Sequence, residues 1–362
     1  MEIVNPQMLI LARESRGMTQ SELARAVGVT QGKVSKYENG MLLVSREDLD
    51  KIAAVLDYTP DFFFQQDKVY GLGSSFLFHR QRQRVPMMLQ RKIQADVNIM
   101  RMQVERLLRS AEIKCDNRFT PIDIDELGGN AARAADRIRA TWSLPLGPIP
   151  NLMQAVESAG GIIIKCAFGT DKIDASHLWL PDLPPLFFVN RDMPADRLRF
   201  TLAHEIGHAI MHSVPTESIE DEANQFAAEL LMPQKEIRKH LRGLTLQRAA
   251  MLKPHWRVSM AAIIKRAKDL GCISAQEYSR LFTSLSTQGY RTNEPIPISA
   301  DEPAVLRELV AVHRTALGYT DADLGRLLYT ADSQFFDPEH APVRLRLVGK
   351  RTIIAFRERL NP

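Results

Sequence analysis

The chain has 362 residues, more than one ordinary hydrophobic core holds, so two or three domains are expected. Its 45% hydrophobic and 25% charged residues are typical of a globular protein, and no apolar run reaches the ~18 residues of a membrane span. The three cysteines lie far apart without a Cys-x-x-Cys pair, which argues against disulfides and against a thiolate zinc site. Because the first residues also lack a signal-peptide layout, we expect a cytoplasmic protein without a membrane partner.

Charge is uneven along the chain, although the net charge of +4 is small. Residues 80–109 carry eight arginines and lysines against two acidic residues, whereas residues 1–60 are nearly neutral. Such a basic stretch either contacts phosphates or forms a solvated helix face, and we favour the helix face.

Five short helices separated by tight turns are predicted over residues 1–65. Thr19 and Thr30 stand where caps begin the second and third helices, and Gly28 supplies the turn between them. Ser45 is placed to cap a fourth helix, and a short aromatic helix follows it. This spacing is that of a helix-turn-helix DNA-binding domain.

The second helix of this motif is the expected reader of the major groove. Gln31 suits an adenine edge, and Gln20 suits a phosphate. The candidate DNA contacts are Gln20, Thr30, Gln31, Lys33, Ser35 and Lys36. The near-neutral charge of this region keeps open a module that binds protein instead of DNA. A homodimer is compatible with the motif, because such domains read paired half-sites.

Three further segments are predicted along the rest of the chain. Residues 66–115 form a connector and a long helix over about 85–113, in which apolar residues recur at helical spacing. Residues 116–285 form a mostly helical domain, with one helix over 125–142 and a small antiparallel sheet from short strands within 162–190. The polar stretch 284–303 is interpreted as a linker, and residues 286–362 form a small C-terminal unit of unknown role.

Residues 201–208 contain the motif His-Glu-x-x-His in a predicted helix. His204 and His208 are four residues apart, so both imidazoles leave the same face and can bind one Zn²⁺. Glu205 lies one residue round the helix, where it is placed to act as general base toward a water whose pKa zinc lowers. The alternative is a buried helix whose histidines are satisfied by hydrogen bonds.

A catalytic zinc needs a third protein ligand, and the next helix offers acidic candidates. Glu220 pairs with Asn224 in a Glu-x-x-x-Asn spacing, which places the amide one turn away as support for the site. Glu222 is the alternative ligand. His212 lies ~12 Å from His204 along an unbroken helix, too far to share the ion.

Two parts of the chain resemble known families. Residues 6–64 resemble the XRE-type, phage-repressor-like helix-turn-helix family, and residues 150–235 resemble the ImmA/IrrE family of metallopeptidases. The stretches that carry the second resemblance are 199–212, with the zinc motif, 220–233, and the lead-in 187–190. The stretch 76–84 also resembles chains that join the two domains.

The resemblance implies an α+β fold and a gluzincin-like zinc endopeptidase that cleaves a repressor or antitoxin partner to control transcription. By motif match, His204, His208 and Glu220 are its metal ligands and Glu205 its base. The strand at 186–190 would hold an extended substrate at a sheet edge. His177 is a candidate for stabilising the oxyanion, with an ordinary surface histidine as the alternative. Similar fusions act as transcription regulators that use the peptidase fold as a sensor or scaffold, or as toxin–antitoxin components.

Overall fold

The computed structural model describes residues 3–71, 85–115, 118–212, 217–330 and 351–355. These residues form two compact units, one with residues 3–71, 85–114 and those after 304, the other with residues 115–304. The arginines at 80, 82 and 84, the stretch 76–84 and much of the predicted C-terminal unit lie outside the described residues. Among the described helices, none combines the length and apolar character needed to cross a bilayer.

Helices dominate both units, and the predicted α+β class is confirmed. The α-helices are α1 Pro6–Ser15, α2 Gln20–Val27, α3 Gln31–Glu38, α4 Arg46–Leu56, α5 Met87–Arg109, α6 Ala131–Thr141, α7 Leu152–Ser158, α8 Ala195–Met211, α9 Ile219–Leu231, α10 Gln234–Leu241, α11 Leu246–Trp256, α12 Met260–Asp269, α13 Ala275–Thr287, α14 Val305–Thr315 and α15 Asp321–Leu328. The strands are β1 Ala111–Cys115, β2 Ile162–Cys166, β3 Ala175–Leu178, β4 Leu186–Asn190 and β5 Arg351–Ala355.

The first unit begins with the predicted short helices, α1 to α4 and a 3-10 helix at Pro60–Phe64. Thr19, Thr30 and Ser45 each accept a hydrogen bond from the backbone N–H three residues on, and so begin α2, α3 and α4. The apolar faces of these helices form one core, to which α5 adds Ile99. The hydrophobic stripe of the long helix therefore covers the helix-turn-helix core.

The prediction of a solvated basic face holds for Arg91 and Arg109 of α5, which are exposed, but is wrong for two other arginines of this helix. Arg101 is 3% exposed and Arg106 is 5% exposed. Arg106 donates to the side chains of Gln65 and Asp67, the latter at 2.8 Å. Because buried guanidinium groups need such partners, these charges fix the chain that follows the 3-10 helix onto α5.

In the second unit, the predicted helix over 125–142 is divided. A 3-10 turn at Asp125–Leu127 ends at Gly128 and Gly129, whose φ angles are +68° and +70°. Only residues without a Cβ adopt this backbone readily, so the helix stops there. Asn130 then accepts hydrogen bonds from two backbone N–H groups and begins α6.

The sheet of the second unit is mixed, and the prediction of an antiparallel sheet is wrong. The strand order is β2-β4-β3; β4 pairs parallel with β2 and antiparallel with β3. All five residues of β4 are buried, so this strand takes the centre, and the chain visits the edge strand β3 before reaching it. The edge strand expected at 186–190 is therefore the middle strand.

The metal-motif helix α8 packs closely along α9. A Cβ atom at Gly207 would lie 3.0 Å from Phe226 Cδ1, so only glycine permits this approach without a shift. Phe226 is fully buried and lies in the main core of the unit. This close contact fixes the register between the two helices and therefore decides which residues of α9 face the motif.

The predicted linker 284–303 belongs to the second unit. Its first residues complete α13, and Asp301 further along is only 4% exposed. One Asp301 oxygen accepts from Arg199 of α8 and from the backbone N–H of Leu152 at 2.9 Å, and the other accepts from Arg257 at 2.9 Å. The polar composition of this segment thus supports a buried ion-pair network instead of a solvated chain.

Candidate metal centre and DNA-binding surface

The two motif histidines lie on the buried face of α8. His204 is 8% exposed and His208 is fully buried. Their Nε2 atoms lie 2.9 Å apart, which follows from the four-residue spacing on a regular helix. Two imidazole nitrogens that face each other this closely can both bind a single ion placed between them.

Glu220 comes to the same point from the first turn of α9. Its Oε1 lies 3.2 Å from His208 Nε2, and its Oε2 lies 3.6 Å from His204 Nε2. One ligand atom from each of the three residues falls within 4.8 Å of the others. The structure therefore brings together the three residues that the motif match names as metal ligands.

This donor set fits a zinc ion. Two imidazoles and one carboxylate are the protein ligands of many catalytic zinc sites, with a fourth position left for substrate or water. Asn224 Oδ1 lies 3.2 Å from His204 Nδ1, so this imidazole can donate its Nδ1 proton to the amide oxygen. That arrangement leaves the Nε2 lone pair of His204 directed toward Glu220 and His208, as a cation requires.

Glu205 is buried beside this cluster and bonded to His177. Its Oε2 lies 2.7 Å from His177 Nδ1, and its side chain has no solvent exposure. Burial raises the pKa of Glu205, but the hydrogen bond with His177 and the electrostatic influence of the imidazoles of His177, His208 and His204 lower that pKa to about 2. Glu205 is therefore an ionised carboxylate in this setting.

His177 is not the surface histidine that the sequence left as an alternative. It lies on β3, is 8% exposed, and its ring stacks at 6.3 Å and 12° on that of His208. No local pattern pointed to its contact with Glu205, because the two residues are 28 positions apart and meet only where β3 crosses α8. A histidine inside a short predicted strand was the one signal available.

Glu222 and His212 are paired with each other outside the three-residue cluster. His212 Nε2 lies 3.0 Å from Glu222 Oε2, and His212 Nδ1 lies 2.9 Å from His208 Nδ1. Burial is the main cause that lowers the pKa of His212, to about 4, and the nearby imidazole of His208 adds to it, so His212 is neutral near pH 7. Glu222 thus contacts a neighbouring histidine, and of the two acidic residues Glu220 is the one whose carboxylate lies in the three-residue cluster.

A cavity of about 1370 Å³ extends from this region along α8 and α9. Thr201 and Asn224 line it near the metal centre, and Phe200 and Tyr278 give it aromatic surface. Buried Lys253 also lines it and is neutralised by two carboxylates at 2.6 and 2.9 Å. His204, His208 and Glu220 do not line this cavity; it reaches Asn224, which contacts His204 at Nδ1, the ring nitrogen that faces away from the cluster.

The candidate DNA contacts lie on α2 and α3 in the first unit. Thr30, Gln31 and Lys36 are exposed, and Gln20, Lys33 and Ser35 are half-buried. Gln31 Nε2 donates to Gln20 Oε1 at 2.8 Å, and Gln20 Nε2 donates to Glu38 at 2.7 Å. The two glutamines therefore form one unit whose outer end is Gln31.

Lys33 is held more tightly than the sequence suggested. Its ammonium group lies 2.7 Å from Asp48 Oδ2, a carboxylate that also accepts from Tyr37 at 2.5 Å. These hydrogen bonds lower the pKa of Asp48, with Lys33 as the largest cause. Lys33 thus joins α3 to α4, and its contact with DNA stays a prediction.

Comparison with known families covers both of these regions. No curated protein matches the chain. Residues 9–63 match the helix-turn-helix family model, and residues 156–268 match that of the IrrE N-terminal-like domain, which belongs to a peptidase family. The two resemblances are thereby confirmed in their predicted order, with an N-terminal helix-turn-helix domain followed by an IrrE N-terminal-like domain.

Proposed function

We propose that this protein is a zinc-dependent endopeptidase that cleaves a repressor or antitoxin-type protein and that uses its helix-turn-helix domain to bind an operator. The observation that carries the proposal is the convergence of His204, His208 and Glu220 beside the buried carboxylate of Glu205. An ion-binding cluster alone is compatible with storage or structure. An ionised, buried carboxylate next to it supplies the base that peptide hydrolysis needs.

Each side chain has a distinct role in this proposal. His204, His208 and Glu220 would hold a zinc ion, which when bound polarises the scissile carbonyl and favours deprotonation of water. Glu205 accepts the proton of the attacking water and delivers it to the leaving amine. His177 holds Glu205 Oε2 at 2.7 Å and so sets the direction of the carboxylate.

The substrate would lie along β3, one of the two edge strands of the three-stranded sheet and the one that carries His177. An extended peptide added to this edge gains backbone hydrogen bonds without any particular sequence. Because His177 is part of β3 and contacts Glu205, such a peptide would pass close to the base.

The metal content of the purified protein tests the site. Inductively coupled plasma mass spectrometry is expected to find about one zinc per chain in the wild type and almost none in His204→Ala, His208→Ala or Glu220→Ala. The control is Asp221→Ala, because Asp221 is exposed on the same turn of α9 and should not affect binding. Retention of zinc by Glu220→Ala alone would instead assign the third ligand to Glu222, and no zinc in wild type would contradict the proposal.

A transcription regulator that uses the peptidase fold as a sensor or scaffold is the second candidate, and a toxin–antitoxin component is a variant of either. The regulator is favoured by the capped helices of the helix-turn-helix domain and by the exposed outer end of Gln31. If the chain acts as such a regulator, the carboxylate of Glu205 has no role in regulation.

Gln31→Ala is expected to weaken binding to a preferred DNA site by about 1–3 kcal/mol, because a bidentate glutamine–adenine contact contributes that much discrimination. The site is first selected from random duplexes with the wild-type protein, and affinities are then measured by fluorescence anisotropy at one salt concentration. Gln288→Ala is the control, since Gln288 is exposed in the other unit. Equal affinities for Gln31→Ala and wild type would remove Gln31 from the interface.

A further inference from the structure

Three polar side chains form a row on the far side of His208 from the metal centre. His208 Nδ1 lies 2.9 Å from His212 Nδ1, and His212 Nε2 lies 3.0 Å from Glu222 Oε2. The side chains of His212 and Glu222 are 3% and 19% exposed, so water competes little for these contacts. The other Glu222 oxygen accepts from Ser218 Oγ at 2.8 Å, which fixes the carboxylate at the start of α9.

The chemistry of these groups gives the row one direction. An ionised carboxylate only accepts hydrogen bonds, so His212 must carry its proton on Nε2 to contact Glu222. A neutral imidazole with its proton on Nε2 has an acceptor at Nδ1. His208 must therefore donate from its own Nδ1, because two acceptors would repel each other at 2.9 Å.

This direction decides which nitrogen of His208 is available to a metal. With the proton on Nδ1, the lone pair of His208 is on Nε2, which lies 2.9 Å from His204 Nε2 and 3.2 Å from Glu220. If His212 carried its proton on Nδ1 instead, His208 would accept there and would hold its own proton on Nε2. That proton would point at the metal position and block it.

We propose that Glu222, acting through His212, is a positioning residue that holds His208 in the tautomer that binds metal; this inference rests on the metal centre of the proposed function. Partners of this kind orient ligand imidazoles at many metal sites. Here the row extends through a second histidine, His212, which directly follows the last residue of α8 and lies four residues after His208. It also gives Glu222 a role distinct from that of Glu220, two residues away.

The affinity for zinc separates this role from a general effect of charge. Zinc affinity, measured by competition with a chromophoric chelator, is expected to fall about 10- to 100-fold in Glu222→Lys, whose ammonium donates to His212 Nε2 and reverses the row. The single substitution Glu222→Gln should retain most of the wild-type zinc affinity, since its amide oxygen still accepts a hydrogen bond from His212. Asp221→Lys makes the same charge change at the neighbouring exposed residue and should bind zinc as wild type does.

The tautomer can be observed directly in the metal-free protein. Two-dimensional ¹⁵N–¹H spectra of histidine-labelled chain should place the His212 proton on Nε2 in wild type, where Glu222 accepts it, and on Nδ1 in Glu222→Lys. His212→Phe removes the row without a charged replacement and should also weaken zinc binding, with unfolding curves checking that each variant folds.

An unchanged His212 tautomer in Glu222→Lys, or a zinc affinity of Glu222→Lys equal to that of Asp221→Lys, would overturn the role of Glu222 while leaving the peptidase proposal intact. If wild type binds zinc and the variants lower the zinc affinity, but no partner protein is cleaved, the positioning role of Glu222 stands and the proposed function fails. A wild type that takes up no zinc would overturn both.

Discussion

Glu205→Gln is expected to lower the rate of partner cleavage by about 10²–10⁴-fold, because the amide cannot accept the proton of the attacking water. The substitution keeps the shape of a fully buried side chain and leaves an amide oxygen that still accepts from His177. The metal ligands are unchanged, so zinc content and DNA affinity should equal those of wild type. Loss of cleavage with both kinds of binding retained is the signature of a catalytic base.

Cleavage is measured on the metal-loaded protein with candidate helix-turn-helix repressors, by gel and mass spectrometry of the products. Glu126→Gln is the matched control, as Glu126 is exposed in the same unit and should leave the rate unchanged. The same pair of variants also tests the rival function in cells. If gene regulation persists with Glu205→Gln, proteolysis is not the mechanism, and the protein acts as a DNA-binding regulator with the peptidase fold as scaffold.

The part of the site that lies within one helix could be predicted from the sequence. His204 and His208 are four residues apart, and helical geometry alone brings their Nε2 atoms to 2.9 Å. The helix-turn-helix elements were also predictable, because Thr19 and Thr30 are local capping signals. In both cases, the deciding interactions span only a few residues.

The choice between Glu220 and Glu222 could not be made from the residues alone. Both are in the first turn of α9, and which one faces His208 depends on the rotation of α9 against α8. That rotation is set by the contact of Gly207 with Phe226, a matter of packing across two helices. Before the structure, the Glu-x-x-x-Asn spacing with Asn224 and the motif match of the resembling family favoured Glu220, and Glu222 stayed the alternative.

The strand order of the sheet and the packing of the polar segment 284–303 could not be predicted either, because both depend on contacts between residues distant in sequence. Alternating residues indicate strands but not their neighbours, so the parallel pairing of β2 with β4 leaves no local signal. A segment rich in Ser, Thr, Asn and Pro indicates a linker by composition. Here Asp301 holds the segment against the second unit, because it supplies the counter-charge for two arginines that are distant in sequence.

Asp301→Asn is therefore expected to destabilise the second unit strongly, by about 3–5 kcal/mol, because it leaves the buried guanidinium of Arg199 without a full counter-charge. The side chains of Arg199 and Asp301 are each only 3% exposed, so solvent cannot replace the lost interaction. Asp301 also accepts from the first N–H of α7, at Leu152, which links the segment to two helices. Arg199 lies on α8 ahead of the metal motif, so zinc affinity should fall together with stability.

Urea unfolding followed by tryptophan fluorescence measures this effect in the full chain. All three tryptophans, Trp142, Trp179 and Trp256, are in the second unit, so the signal reports on that unit alone. Glu302→Gln is the adjacent control: its pair with Lys165 at 2.7 Å is largely exposed and should contribute no more than about 1 kcal/mol. If both variants unfolded at the same urea concentration, Asp301 would be a surface charge in solution, and the segment that it docks would be a linker after all.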